Sequence, residues 1–295
     1  MSRILTIKPI GGLGNRMRAI DSAYQLARDH GFQLQVIWEL NRFLGAPFLD
    51  LFLPVDGLQI KTIENKGLAP IRFPEKSPAA RTKTRWLATV LAPKADVRFF
   101  QDDFGAWGDK IREQNPHIQM NDFDQLLMDH FKQHLPLVQN ADQIYLSSAY
   151  RFYSSTPPFL MFCLPADVQR ELDQFTKNWE QVIGVHIRRT DHKKSIQHSS
   201  DEWFLQQMDQ QLDQYPDAHF FLSTDDPEVI RSFRSRYGAR LIQRSASFDR
   251  KDPGAIREAL IDLYLLSRTQ LVLGSYFSSF SLTAAQIGGI ELFTA

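Results

Sequence analysis

Two adjacent arginines and a carboxylate stand together in His186-Ile187-Arg188-Arg189-Thr190-Asp191. Residues 182–185, directly before them, form an apolar run of the kind that makes a buried parallel strand. The hexapeptide therefore falls where a strand ends, and in open α/β sheets ligands bind beyond the carboxyl ends of strands. Guanidinium groups at such a place suit an anion with paired oxygens, a phosphate above all, because their planar fork meets two oxygens at once. The same residues would also serve as a solvated charge cluster, or as an Arg–Asp pair bracing the loop. The hexapeptide alone does not separate these readings.

Further polar stretches follow at other predicted strand ends. Ser223-Thr224-Asp225-Asp226-Pro227 closes the apolar run 220–223 and opens a helix. Asp262 falls in the helix before the last strand of this series, and Tyr276-Phe277-Ser278-Ser279-Phe280 ends that strand and begins the final helix. Ser279 and the neighbouring N–H groups could hold a phosphate at a helix N-terminus. A carboxylate such as Asp262 could accept from the N1–H and N2–H of guanine, a pattern adenine does not offer. Taken singly, Thr224 and Asp225 read as helix caps, Asp262 as a surface residue and Ser278-Ser279 as a cap. Taken together with an arginine pair at neighbouring strand ends, they describe a nucleotide-diphosphate site.

Near the N-terminus, Gly11-Gly12-Leu13-Gly14-Asn15 separates a strand at 4–8 from a helix reaching about His30. Ala19, Ile20, Ala23, Tyr24 and Ala27 recur at helical spacing, Gly31 suits a C-cap, and 34–38 reads as a second strand. Glycines in such a turn let backbone N–H groups approach a diphosphate. As a dinucleotide fingerprint the loop is incomplete, because Met17 stands where glycine or alanine is expected. With Glu39 as a ribose partner, it would still support a nicotinamide-dependent oxidoreductase. Asp122-Phe123-Asp124 has the spacing by which many glycosyltransferases hold a metal and a nucleotide diphosphate, but acidic residues also favour the first turn of a helix. His130 and His134 stand one helical turn apart with no third zinc ligand in view.

These groups must be positioned by an α/β chain of ordinary globular composition, with 295 residues, 43% hydrophobic and 23% charged. Length suggests two domains, here placed at 1–160 and 161–295. Lys+Arg and Asp+Glu both number 34, which argues against a general nucleic-acid binder and makes any recognition of anions local. Cys163 is the only cysteine, so no internal disulfide can form, which fits a reducing, cytoplasmic setting. The first residues lack signal-peptide features. The uncharged stretch 269–290 carries too many serines and glycines for a membrane span.

The second half alternates regularly. Helices are expected over 165–179, from a Ser199–Glu202 capping box to about Tyr215, from Asp226-Pro227 to Gly238, and from Asp252-Pro253. In the last of these, Ile256, Leu260, Leu263 and Leu266 face inward. Strands at 182–187, 220–223, 241–243 and 271–273 lie between or after them, and a final helix starts at Ser278 or Ser279. That order predicts a parallel sheet with helices on both faces. Residues 41–120 read as loops with short helices, 122–135 as an amphipathic helix, 144–146 as a strand, and 154–158 as a linker. Two Rossmann-like domains facing a cleft account for the pattern.

HIRRTD at 186–191, STDDP at 223–227, ALIDLYLLS at 259–267 and SYFSSFS at 275–281 resemble, in this order, motifs of the α1,6-fucosyltransferases. That family includes bacterial enzymes acting on chito-oligosaccharide signals and the N-glycan core enzyme of animals. GGLGN at 11–15 resembles the glycine loop of the wider superfamily, with its α1,2- and protein O-fucosyltransferases. The similarity covers about 180–290 and the N-terminal loop. It implies a GT-B-like fold and inverting, metal-independent transfer of fucose from GDP-β-L-fucose to a glycan such as an oligosaccharide, with no cofactor.

By motif position, Arg188 resembles the arginine on the β-phosphate, Asp262 the guanine-reading aspartate and Ser279 the phosphate-binding serine. Arg189 and Asp191 match further positions of the arginine motif. Gly12, Gly14, Asn15, His186, Asp225, Ser278 and Phe280 complete the expected donor site. Asp191 is the first choice for the general base, ahead of Asp201 and Glu202. His192 departs from the lysine of relatives, and Lys193-Lys194-Ser195-Ile196 lacks the glutamate that the animal enzyme carries there. A catalytically inactive nucleotide-sugar-binding protein on the same scaffold is the other reading of these motifs.

Overall fold

The computed structural model describes residues 3–64, 78–189, 197–244 and 249–295. The chain forms two units, Met1–Cys163 with Arg250–Ile256, and Leu164–Asp249 with Arg257–Ala295. Return of the chain to the first unit explains one glycine. The N–H of Gly45 bonds to the carbonyl of Arg250 at 2.9 Å, and a Cβ on Gly45 would lie 2.3 Å from the carbonyl oxygen of Lys251.

The first unit runs β1 (Ile4–Pro9), α1 (Leu13–His30), β2 (Gln33–Leu40), β3 (Leu58–Glu64), α2 (Pro78–Leu91), β4 (Val97–Phe99), α3 (Gln101–Gln114), α4 (Met120–Lys132), α5 (Leu135–Asn140) and β5 (Gln143–Ser148). Its five strands are ordered β3-β2-β1-β5-β4, and every pair is parallel. α1 ends as expected: Gly31 adopts φ +70, a left-handed conformation that glycine takes without penalty, and its N–H reaches the Ala27 carbonyl.

The second unit runs α6 (Ala166–Thr176), β6 (Val182–Ile187), α7 (Asp201–Gln214), β7 (His219–Thr224), α8 (Pro227–Tyr237), β8 (Leu241–Ile242), α9 (Pro253–Leu266, of which the residues up to Ile256 count with the first unit), β9 (Leu271–Gly274), α10 (Ser279–Gly288) and β10 (Glu291–Thr294). The strand order is β10-β9-β6-β7-β8, again all parallel. β6 is buried along its whole length. Ile183, Val185 and Ile187 join Phe204, Met208, Phe220, Leu222 and Phe233 in one apolar cluster. Ile256, Leu260, Leu263 and Leu266 of α9 are buried as their spacing predicts.

In each sheet the order reverses beside the first strand, so that β1 and β6 have a neighbour reached by a crossover in the opposite sense. Crevices at such reversals are where α/β folds bind ligands. The glycine loop follows β1, and the arginine motif follows β6.

The middle of the chain departs from the expectation of loops and short helices. It supplies β3 and β4, both sheet edges, and the long helices α2 and α3. β3 is half exposed, so its sequence mixes Leu58, Ile60 and Ile63 with Gln59, Lys61 and Glu64, while β4 spans only three residues. β10, likewise an edge strand, continues the second sheet beyond the last predicted helix.

Candidate functional site

In the first unit, the backbone turns out of β1 through Gly11 at φ +90. A side chain would be strained there, and a Cβ would also approach Asn15 Nδ2 to 2.7 Å. Gly12 is the N-cap of α1 and makes no side-chain cap. Among the described residues, a Cβ on Gly12 would meet nothing within 4 Å. Packing therefore does not demand this glycine, and the space before the helix N-terminus is open to a group that needs N–H donors. Asn15 packs on the loop and Gly14 is buried within the first turn.

An arginine that sequence reasoning did not select fixes this loop. Arg16 is fully buried. Its Nε donates to the Gly11 carbonyl at 2.9 Å, Nη1 to the Glu39 carbonyl at 2.7 Å and Nη2 to Asn41 Oδ1 at 3.2 Å. Burial lowers its pKa to about 10, opposed by the nearby Glu39 carboxylate. Glu39 itself accepts from Lys8 Nζ and from Asn41 Nδ2, both at 3.1 Å. Its carboxylate is thus engaged inside the protein rather than placed for a ribose, and Met17, at the third fingerprint position, is fully buried.

Deeper in the same unit, Arg18 pairs with Asp124, and Arg151, just past β5, pairs with Asp21 at 2.6 Å. All four residues are buried. Burial pushes the Asp124 carboxyl up, against the pull of Arg18 and Arg151. This corrects the reading of Asp122 and Asp124 as helix-start residues: Asp122 does lie in the first turn of α4, but Asp124 faces the core. His130 and His134 pack on Trp107, each with ring centroids at 4.8 Å. Among the described residues no cluster of three or more His, Cys, Asp or Glu could hold a metal.

In the second unit, the ends of β6 and β9 are tied by hydroxyls. Ser275 Oγ accepts from the Arg188 N–H at 2.9 Å and donates to the His186 carbonyl at 3.2 Å. His186 Nδ1 lies 2.7 Å from Ser281 Oγ, and its ring stacks on Phe280 at 4.8 Å. Burial first, and Arg188 second, lower the His186 pKa to about 3, so the imidazole is neutral at ordinary pH.

The N–H of Arg189 donates to Asp225 Oδ1 at 2.7 Å. Its guanidinium pairs with Asp201 at the start of α7 and stands 5.7 Å over the Phe204 ring. It braces β6 against α7, and Asp201 is the carboxylate that holds it. Asp191 and His192 lie outside the described residues.

The expected Ser199–Glu202 capping box does not form, and the N-cap lies one residue later. Ser200 is the N-cap of α7 and accepts from Trp203 N–H at 3.2 Å. Ser199, fully buried, instead accepts from Tyr276 N–H at 2.7 Å and so ties the α7 start to the β9 end. Glu202 is exposed, and its carboxyl is held below the usual range by its own backbone N–H and the Ser200 hydroxyl.

After β9, Phe277 takes φ +53, a conformation that costs a bulky side chain energy and marks a constrained turn. Ser278 is then the N-cap of α10, yet its side chain caps nothing. Among the described residues the Ser278 hydroxyl is buried without a hydrogen-bond partner. Ser279 follows, buried, as the first residue of the helix. A buried hydroxyl in this state, beside the donor-rich start of a helix, is costly unless a ligand oxygen completes it.

Asp262 sits against the end of β7. Ser223 Oγ donates to its Oδ2 at 3.0 Å, and Arg244 Nη1 to its Oδ1 at 3.3 Å. Burial raises its pKa to about 6, with Arg244 and Ser223 pulling the other way. Arg244 also pairs with Glu171 and Glu258, both at 2.6 Å. The structure thus gathers His186, Arg188, Arg189, Asp225, Ser278, Ser279 and Phe280 at the strand ends of one unit, with Asp262 and Ser223 on the β7 side. Gly12, Gly14 and Asn15 belong to the other unit.

Two Rossmann-like units of this kind define the GT-B glycosyltransferase fold, and solved fucosyltransferases share it with this chain. One is the NodZ α-1,6-fucosyltransferase, in a crystal soaked with GDP-fucose: TM-score 0.60, 18% identity, 97% of this chain and 93% of that chain. Another structure of fucosyltransferase NodZ, from Bradyrhizobium, matches at TM-score 0.58 and 18% identity over 96% of this chain and 92% of that one. POFUT1 in complex with GDP matches at TM-score 0.55 and 13% identity, covering 99% and 98% of the two chains. FUT1 of Arabidopsis thaliana, in complex with GDP, matches at TM-score 0.56 and 14% identity over all of this chain and 70% of that one. No protein-family model and no curated protein sequence matches.

Proposed function

We propose that this chain moves L-fucose from GDP-fucose to a glycan hydroxyl, with inversion and without a metal ion. The observation that carries the reading is the Ser278 hydroxyl at the N-terminus of α10, buried with no hydrogen-bond partner among the described residues, in the turn after β9 whose Ser275 binds the Arg188 backbone. GDP or GDP-fucose accompanies three of the four structures named above, which favours a guanosine diphosphate donor here.

As the bond from fucose to the diphosphate breaks, negative charge builds on the leaving group. Arg188, Ser279 and the N–H groups of α10 are assigned to stabilise it. The ionised Asp262 reads guanine. His186, neutral and held by Ser281, orders the pocket wall and relays no proton in the reaction. The acceptor hydroxyl attacks the opposite face of the sugar and gives its proton to a carboxylate, for which Asp191 is proposed.

A thermal-shift panel of GDP, UDP, GDP-fucose and NAD, followed by donor hydrolysis with and without EDTA, tests this. Stabilisation by GDP and GDP-fucose only, with turnover that survives EDTA, is expected. Stabilisation by NAD alone would establish the oxidoreductase. GDP-fucose binding without hydrolysis or transfer would establish the inactive binding protein, and Mn²⁺ rescue after EDTA would restore a metal to the mechanism.

A further inference from the structure

Asp262 is gripped at both carboxylate oxygens. Ser223, at the end of β7, bonds Oδ2, and Arg244, just past β8, bonds Oδ1. β7 and β8 pair with Phe220 opposite Leu241 and Phe221 opposite Ile242. Two residues further on, the same register sets Arg244 opposite Ser223. The two donors thus come from neighbouring strand ends of the second unit. A carboxylate offers about four lone pairs. The clamp takes one on each oxygen, and guanine's paired N–H donors need one more on each.

Arg244 also answers a problem of charge. Glu258 lies one turn before Asp262 on α9, and its Oε2 is 2.6 Å from Arg244 Nη2. Glu171 of α6 meets the same nitrogen at 2.6 Å. Three carboxylates therefore share one guanidinium, whose side chain is only 10% exposed, so solvent screens it little. A plain role would be to brace α6 on α9. Arg257 already does that, bonding from α9 to Asp167 at 2.8 Å and to Glu171 at 3.5 Å. Among the described residues Arg244 alone forms an ion pair with Asp262. A like charge near a buried carboxyl favours the protonated form, and an adjacent guanidinium favours the ionised form. Glu258 and Arg244 act on Asp262 in these opposite senses.

We infer that Arg244 is a positioning residue for base selection: with Ser223 it fixes the Asp262 carboxylate, and it keeps that group ionised against Glu258, so that guanine meets two acceptors. The inference rests on the reading of Asp262 as the guanine-binding group.

The experiment follows the Asp262 carboxyl by carbon NMR in the unliganded full chain, its signal assigned from the loss in Asp262→Asn. Calorimetry measures GDP affinity over the same pH range, and circular dichroism confirms the fold of each variant. In Arg244→Met the titration midpoint rises by about 1–3 pH units. GDP binding weakens at neutral pH, and the deficit narrows as the pH is raised. Arg244→Lys keeps the charge and loses the fork, so it gives a smaller rise of the same sign, and it carries the test where Arg244→Met does not fold. Glu258→Gln lowers the midpoint. A midpoint that the folded Arg244 variants leave in place, or that Glu258→Gln raises, overturns the inference and leaves the donor site as proposed. So does a moved midpoint with unchanged GDP affinity, or a GDP deficit equal at every pH, which would make Arg244 a brace. Wild-type protein that binds no GDP, or a folded Asp262→Asn that binds it as tightly as wild type, overturns the reading of the site and the inference with it.

Discussion

Beside the glycine loop of the first unit, the charged side chains are enclosed: Arg16, Arg18, Asp21, Asp124 and Arg151 are all buried. Around β6 and β9 of the second, Arg188, Arg189 and Asp225 are only half buried, and the fully buried groups are largely hydroxyls, Ser275, Ser278 and Ser281. Both regions follow a strand at a sheet's topological reversal, and both are rich in arginine, so residue type alone does not separate them. Burial does. An enclosed charge must have its partner inside the protein, and such pairs set the shape of a loop. On the proposed reading, the half-open residues at the ends of β6 and β9 and the uncapped start of α10 are where a ligand's oxygens arrive.

The largest effect should come from breaking an enclosed pair. Asp124→Ala leaves the Arg18 guanidinium buried without its carboxylate, which typically costs about 3–5 kcal/mol. Urea unfolding should show that loss, with the GDP-induced stabilisation kept in the fraction that folds. A cost below about 1 kcal/mol, the range of exposed pairs, would mean that the first unit's charges are not its scaffold.

Next in size is the contrast between the two arginines of the second unit. Arg188→Lys keeps the charge but loses the fork that meets two oxygens. On the proposed mechanism it should cost about 10²–10³ in kcat, as for loss of one transition-state donor. Arg189→Lys breaks contacts to Asp201 and Phe204, and should act on thermal stability more than on rate. Donor hydrolysis by both variants, with circular dichroism, decides. A folded Arg188→Lys enzyme within a few-fold of wild type removes Arg188 from the leaving-group role.

The second unit was the more legible from sequence for a physical reason. β6, β7 and β9 are covered on both faces, so they read as unbroken apolar runs, and Pro227, Pro253 and Gly238 mark helix ends by their backbone limits. β3 and β10 are edges whose side chains alternate between water and core, and β4 is too short to have a period. Arg16, Arg18 and Asp21 lie on a helix buried nearly all round, where a charge signals a partner distant in sequence. Asp124 and Arg151 lie more than 100 residues away from those partners, so no local spacing could point to them. The Ser199–Glu202 capping box failed because two serines stood side by side and either could have capped.

Asp262 sets a pH dependence with opposite signs for fold and ligand. Its folded pKa of about 6 lies above its ordinary value of 3.8. The folded state therefore binds its proton more tightly, and the group's contribution to stability is present below the lower value and lost as pH rises through about 6. If Asp262 reads guanine as proposed, the two N–H donors need the carboxylate, and GDP affinity should fall as pH drops below about 6, approaching tenfold per pH unit well below it. Asp262→Asn should weaken GDP by about 1–3 kcal/mol near neutral pH and flatten the profile. Calorimetry that finds the same GDP affinity and pH profile in the folded variant excludes Asp262 from base recognition.

The smallest effect is the most discriminating between scaffold and site. Replacing an N-cap serine by alanine ordinarily costs about 0.5–2 kcal/mol of stability, through the lost cap. Ser278 makes no capping bond, and its hydroxyl is buried without a partner among the described residues. Ser278→Ala therefore removes a desolvated group and no hydrogen bond, so the unliganded protein should be as stable as wild type or slightly more so. If the hydroxyl awaits a ligand oxygen, the same change should weaken GDP by about 0.5–1.5 kcal/mol, roughly 2- to 12-fold. Thermal melts without ligand and calorimetry with GDP give the two numbers on one sample. A variant that melts lower and binds GDP as before would make Ser278 an ordinary helix cap. It would also return the start of α10 to the scaffold side of the comparison.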